Sequence, residues 1–486
     1  MSGLPSGWTL AALSDLCKQP EQRVPHADEM FTYIDIASVD RDLKTVSEPQ
    51  QLLGADAPSR ARKLVENGDV IVSMTRPNLN AVALIGEQHN GCIASTGFDV
   101  LKPIEVEPRW IFSAVRSARF VDAMCEKVQG ALYPAVKSAD IREFEIPLPP
   151  LAEQTRIAKK LDELLAQVDT LKARIDAIPA LLKRFRQSVL AAAVSGRLTE
   201  EWRKTLTPAD TGADVIRNDH IAKLALLEQQ PELKKKKSSL QSDIDESYLF
   251  EIPESWTFTT WGKISEWITY GFTRPMPKSE SGQKLLTAKD VQRFELELVD
   301  CGLTTTEAFQ ALSDKDKPIK GDLLITKDGS IGRAALVCTD EAFCINQSVA
   351  VCWLRSTTMH KRYLELLSNG DFTQRFVKDK AQGMAIQHLS IIDFAKCPVP
   401  VPSYKEQNEI VRQVEQLFAF ADQLETKVAS AKRRIDLLTQ SILAKAFRGE
   451  LVPQDPNDEP ASVLLERIKT QRAAAPKAKR GKKATG

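Results

Sequence analysis

Apolar residues recur at alternating steps of four and three along one stretch: Ile157, Leu161, Leu164, Val168, Leu171, Ile175 and Ile178. The same spacing returns at Ile410, Val414, Leu417, Ala421, Leu424, Val428 and Ala431. This is the heptad pattern of a helix with a narrow apolar seam, shaped to meet one partner helix. Between the seam positions stand mostly Glu, Lys, Gln, Arg and Ala, all good helix formers. Two long helices are therefore predicted, over 151–198 and 404–451. Pro179 falls inside the first, which predicts a kink or short turn with Pro179 near the start of a second helical piece. Gly196 and Gly449 are the predicted C-terminal caps.

The two stretches align without a gap at an offset of 253, and fourteen of the 48 aligned pairs are identical. A match of that length means internal duplication. A lone helix cannot bury its own seam, so each copy is the natural partner of the other. Ahead of each copy lies a segment of another pattern. Short apolar runs at 31–36, 70–72 and 81–85, punctuated by Gly and Asp, predict strands of a mixed sheet. Residues 109–128 have helical spacing, with Trp110, Ala114, Val115, Ala118, Val121 and Cys125 on one face. The second segment repeats landmarks of the first. IPESW answers LPSGW, placing Pro253 and Trp256 opposite Pro5 and Trp8, and GDLLI at 321–325 answers GDVIV at 68–72. The predicted class is α+β: two mixed-sheet modules, 1–146 and 251–397, each followed by a shared helical region, 147–202 and 398–454. A connector covers 203–250, with a short helix over 215–227, and a short helix and basic tail cover 455–486.

Composition narrows the function. The chain has 486 residues, 43% hydrophobic and 27% charged, and a net charge of +1, so a nucleic-acid face would be a local patch on a balanced protein. Lysines 234–237 read as a solvated tether, and the tail 471–486 holds six basic residues and no acidic one. Eight scattered cysteines without a CxxC pair predict free thiols in a reducing cytosol. No apolar run nears the ~20 residues of a membrane helix, and the N-terminal stretch lacks the pattern of a signal peptide. There is no phosphate-cradling GxxxxGK[ST], no GxGxxG after a strand, no HExxH and no [DNS]PP[YFW]. The five histidines lie far apart, so no metal site is expected. The chain is expected to be non-catalytic.

The repeated architecture, the PLPPLAEQ lead-in to the first helix, and the helix ends RFRQSVLAAAVSGRLTEEW and LTQSILAKAFRGEL resemble the specificity subunit of type I restriction–modification enzymes. The resemblance covers nearly the whole chain. It implies that each module is a target recognition domain reading one half of a split, asymmetric double-stranded DNA target. The helices would pair as an antiparallel coiled coil that spaces the modules. The 28 residues 151–178 make about 42 Å of helix, against roughly 34–36 Å between half-sites one DNA turn apart. It also implies partners: two methyltransferase subunits holding S-adenosylmethionine, and two restriction/translocase subunits using ATP and magnesium. No cofactor would be bound by this chain, and its setting would be the bacterial cytoplasm. Docking of the methyltransferases is expected on the outer faces of the helical repeats, including 181–198 and 434–451. The competing expectation is a coiled-coil scaffold that binds only protein.

Base reading needs amide, hydroxyl or basic side chains on loops that reach a groove. The candidate loops follow the two matched strands. SMTRPNLN offers Thr75, Arg76, Asn78 and Asn80; TKDGSIGR offers Lys327, Ser330 and Arg333. Tyr133 and Lys137 precede FEIPLPP, and Gln387 and His388 hold the comparable place in the second module. Thr273, Arg274 and Lys278 lie on a further Gly/Pro-rich loop.

Overall fold

A computed structural model describes residues 3–128, 134–205, 210–233, 243–383 and 387–474. The chain divides into two compact units, one of residues 1–176 with 429–486, the other of 177–428. Each unit therefore joins one module to the start of one long helix and the end of the other.

In the first unit, Val70–Ser73 lies inside an antiparallel sheet with Phe98–Pro103 and Val82–Leu84 on its two sides, Cys17–Lys18 completing the edge. Its side chains alternate between two cores. Val70 and Val72 pack with Trp110 and Ile111, while Ile71 packs with Phe98, Ala83 and Ile34. Burial on both faces is why this strand reads as an unbroken apolar run. A second sheet orders Gln50–Leu53, Met30–Ile34, Ile93–Ser95 and Ala61–Leu64, with Ile93–Ser95 parallel to Met30–Ile34. The second unit repeats this scheme. Leu323–Thr326 lies between Val349–Trp353 and Ala334–Leu336, and Phe343–Ile345 runs parallel to Lys278–Leu286.

The repeated landmarks are the joints between module and helix. Strand Thr9–Ala12 pairs with Glu145–Leu148, and Thr257–Thr260 with Pro398–Val401, just ahead of the helices. Trp8 Nε1 donates to Glu153 Oε2 at 2.9 Å, and Trp256 Nε1 to Glu406 Oε2 at 2.9 Å. The neighbouring glutamines act alike. The Glu107 N–H donates to Gln154 Oε1 at 3.0 Å and the His360 N–H to Gln407 Oε1 at 2.8 Å. A third joint keeps its geometry while changing its residue: Trp110 Nε1 donates to the Pro147 carbonyl, and Tyr363 Oη to the Pro400 carbonyl. The far ends of the helices close on the same corners. Gly449 and Gly196, at φ +72° and +75°, turn the chain, and a Cβ on either would come within 2.6 Å of Pro5 or Pro253 respectively.

The long helices are Leu151–Val194 and Tyr404–Phe447, each 44 residues. Within each unit they run antiparallel. In the first, Lys172 pairs with Asp436 and Asp176 with Lys432. In the second, Arg186 pairs with Asp422, and Thr199, beyond the helix end, reaches back to Glu406. The predicted seam is buried where a module backs it. Ile157, Leu161 and Val168 pack with Ile442, Leu443 and Ala446, and Ile410 and Val414 with Val189, Leu190 and Ala193. Leu164 and Leu417 are partly buried against the same cores, Ala421 is buried, and Ile175, Leu424 and Val428 are half-buried. Leu171 differs, at 45% exposed.

Pro179 does not divide the first helix, which runs unbroken through it. The lost N–H bond and ring clash are local, whereas packed faces hold the helix on both sides.

The duplication also extends past the predicted helix ends. Helix Gly212–Gln229 follows the first long helix, and helix Ala461–Ala474 the second. Both dock through their first residue: the Gly212 N–H donates to the Ser255 carbonyl at 2.9 Å, the Ala461 N–H to the Gly7 carbonyl at 2.8 Å. The short helix expected over 215–227 is thus part of a longer docked element. The lysines 234–237 and the tail from 475 lie outside the described residues. Among the described residues, no helix is long and apolar enough to cross a membrane.

Candidate nucleic-acid interface

Each candidate loop leaves a buried strand that begins with the same turn. Gly68 and Gly321 sit at φ +90° and +92°, and the following aspartate ties the turn back. Asp69 Oδ2 accepts from the Glu66 N–H at 2.8 Å, and Asp322 Oδ2 from the Ile319 N–H at 3.0 Å. Burial pushes the Asp69 carboxyl up to about 6, against the pull of Lys102 at 3.5 Å.

Beyond the strand of the first module, the loop is fixed by its backbone. The Ser73 hydroxyl donates to the Thr75 carbonyl, and Arg76 and Asn80 adopt left-handed conformations at φ +49° and +45°. A segment far along the chain pairs with it. Thr75 bridges Ala135, the Val136 N–H donates to the Met74 carbonyl, and the Arg76 N–H donates to the Pro134 carbonyl. Thr75, Arg76 and Asn78 are exposed, and Lys137 is exposed two residues from the bridge. The Arg76 guanidinium has no hydrogen bond or ion pair among the described residues. Asn80 is turned inward: its Nδ2 donates to the Val115 carbonyl at 2.8 Å, while Lys44 Nζ donates to its carbonyl at 2.6 Å. Burial lowers the Lys44 ammonium to about 8, with Arg116 adding to the effect. Tyr133 lies outside the described residues.

The second module forms the same junction with other residues. Asp328 bridges His388, which is Thr75 to Ala135 shifted by 253 in both members, and the Leu389 N–H donates to the Lys327 carbonyl. The Gly329 N–H donates to the Gln387 carbonyl at 3.0 Å. Ser330, Gln387 and His388 are exposed. Lys327 is only 5% exposed; its Nζ lies 4.9 Å from the centre of the Tyr270 ring and 3.3 Å from Asp328. His388 Nδ1 meets Asp328 Oδ1 at 2.6 Å. Arg333 turns back on its own module, donating to the Ala288 carbonyl and to Gln292 Oε1. Tyr270 ends the strand that leads to Thr273, Arg274 and Lys278, all exposed.

The structure thus gathers two sets: Thr75, Arg76, Asn78 and Lys137 at one junction, Ser330, Gln387 and His388 at the other. Asn80, Lys327 and Arg333 hold loops in shape. Sequence reasoning missed Asp328 and Lys315, whose Nζ donates to the Tyr270 carbonyl at 3.0 Å. Residues 270, 315, 328 and 388 are too far apart for any local spacing to join them. Exposed guanidinium, amide and hydroxyl groups on backbone-locked loops suit the reading of hydrogen-bond patterns on a polar surface. No cluster of His, Cys, Asp or Glu able to hold a metal ion occurs among the described residues.

Comparison with known proteins bears on this arrangement. A family model described as the type I restriction modification DNA specificity domain matches residues 5–180 and 267–431. The chain is 37% identical over 355 residues to the type I restriction enzyme EcoBI specificity subunit of Escherichia coli, spanning 70% of this chain and 67% of that one. It is 29% identical to the EcoKI specificity subunit of Escherichia coli (strain K12), over 97% of both chains. In fold it is similar to a solved chain from a study of type I R-M complex assembly and conformational transition, with a TM-score of 0.64 at 23% identity, covering 93% of this chain and all of that one. The chain belongs to the family of type I restriction–modification DNA specificity subunits.

Proposed function

We propose that this chain is the sequence-specific DNA-recognition and scaffold subunit of a type I restriction–modification complex. Each module, 1–146 and 251–397, reads one half of a split asymmetric target, and the paired helices set the spacing and dock the methyltransferase subunits. The observation that carries this reading is the loop junction present in both modules, Thr75 with Ala135 and Asp328 with His388. Identical backbone pairing under different side chains is what two readers of unlike half-sites require.

The chemistry of reading follows from the exposed groups. Arg76 can bridge O6 and N7 of guanine, and Asn78 the N6 and N7 of adenine. Thr75, Ser330 and Gln387 offer shorter donors and acceptors to base edges. Lys137, Thr273, Arg274 and Lys278 suit phosphate contacts, which hold register without specifying sequence. Asp328, oriented by His388 and Lys327, is an acceptor for the cytosine N4 amine. Asn80, Arg333 and Lys327 position these groups.

Catalysis belongs to the partners: two methyltransferase subunits with S-adenosylmethionine, and two restriction subunits with ATP and magnesium. The chain itself supplies address and assembly, in the bacterial cytoplasm where the DNA lies.

The test is single-molecule methylome sequencing of a strain expressing this chain with its neighbouring methyltransferase, against a strain lacking it. A new split motif with methyladenine in both halves is expected. An assembled complex that produces no new motif would overturn DNA reading in favour of a protein-only scaffold.

A further inference from the structure

In the second unit, helix Asp371–Lys380 and the end of the first long helix bound a groove lined by Ala191, Val194, Ser195, Asp371 and Phe372. A segment of the chain's own connector lies along it. The Phe250 ring meets Phe372 at 4.7 Å and Phe258 at 5.3 Å, and the Tyr248 ring meets Phe376 at 4.7 Å. Its flanks are acidic, for residues 243–251 read DIDESYLFE. Asp245 pairs with Lys380 at 2.8 Å, fixing one end.

The first unit carries the same groove at an offset of 253, with Ala444, Phe447, Arg448, Ala118 and Arg119 at the corresponding positions. Its volume is about 620 Å³, and Phe144, Ile146, Pro147 and Leu443 form an apolar floor. Leu437 on its wall is 68% exposed. At the rim, the Arg119 guanidinium lies 5.4 Å from the centre of the Phe144 ring, and among the described residues Arg448 is paired only with its near neighbour Glu450. No segment lies in this groove among the described residues.

We propose that the groove of the first unit docks an extended segment of a partner chain in which aromatic side chains stand among acidic ones. The connector segment Ser247–Phe250 that walls the equivalent groove supplies the chemistry. Aromatic rings give most contact area per residue on an apolar floor, and the Arg119 and Arg448 rim matches acidic flanks as Lys380 matches Asp245. The inference goes beyond DNA reading and does not rest on it.

The test uses a fluorescein-labelled synthetic peptide of sequence DIDESYLFE titrated with the full chain, read by fluorescence anisotropy. Saturable binding at one site is expected. Ala444→Glu and Arg119→Glu, both at exposed positions, each weaken it at least tenfold without shifting the melting temperature, and Ala191→Glu leaves it unchanged. Three results of the titration overturn the proposal. They are no saturable binding, binding indifferent to Ala444→Glu, or binding lost through Ala191→Glu, which would mean that the peptide exchanges into the second unit. Dimerisation of the free chain abolished by Tyr248→Ala would also overturn it, assigning the groove to a second copy.

Discussion

Trp256 donates to Glu406 as Trp8 donates to Glu153, both at 2.9 Å, yet the two carboxylates stand in different company. Glu406 also accepts from Thr199 Oγ1 at 2.6 Å and pairs with Arg203, all within the second unit. The second oxygen of Glu153 is buried and has no partner among the described residues, and burial raises that carboxyl. Duplication kept the joint and let its second half diverge.

Glu406→Ala should therefore cost about 3–5 kcal/mol, because it leaves the Arg203 charge unpaired and the Trp256 N–H without its acceptor. Glu153→Gln keeps one acceptor for Trp8 and removes a poorly solvated charge, so its cost stays below about 1 kcal/mol. Urea unfolding followed by tryptophan fluorescence measures both. A larger loss for Glu153→Gln would contradict this account.

Seam positions should differ among themselves. Leu161 is 1% exposed, and Leu161→Ala is expected to cost about 2–5 kcal/mol through lost burial and a cavity. Leu171, at 45% exposed, should tolerate the same change within about 0.5–1 kcal/mol. Thermal melts of the two variants decide, and equal losses would mean that the seam is uniformly packed.

Pro179 is carried by its helix as a standing cost. Pro179→Ala restores an N–H and removes the ring clash, so stability should rise, by up to about 3 kcal/mol. A lowered melting temperature would show that the helix relies on a bend there.

Asp69 gives the first module a pH dependence. Its carboxyl titrates at about 6 when folded, against about 3.9 in an unfolded chain. The folded state thus holds the proton more tightly, and its stabilisation is complete below pH ~4 and lost as pH rises through ~6. The full difference is at most about 3 kcal/mol. Asp69→Asn should flatten the stability profile between pH 4 and 6; an unchanged profile would assign the titration elsewhere.

On DNA, Arg76→Ala should relax specificity in one half-site only, at about 1–3 kcal/mol. Asn80→Ala acts through shape: it frees the Val115 carbonyl and strains a left-handed position, so it should lower affinity together with module stability. Binding titrations on half-site variants, paired with melts, separate the two.

The duplicated seam was legible because heptad spacing and a constant offset are local properties of sequence. The strands around Val70 and Leu323 were legible for the same reason. Burial of Lys327 was not, since the groups around it come from residues 270 and 388. Neither was the docking of helices Gly212–Gln229 and Ala461–Ala474: their shared geometry is carried by backbone N–H groups, which leave little trace in side chains. The inward turn of Asn80 depends on a helix 35 residues away. Each module folds its polar loop residues partly onto itself, and only packing separates the structural ones from those left exposed.

The first unit draws Ile442, Leu443, Ala446, Leu464 and Ile468 into the core built around Trp110. During synthesis the apolar surface of the module of residues 1–146 that faces these residues therefore stays open until residue 468 has left the ribosome. The second unit, contained in residues 177–428, can close earlier. Emergence and completion run in opposite order: of the two modules, the one made first is finished last, and a nonsense codon between residues 428 and 468 wounds the module of residues 1–146 rather than that of 251–397.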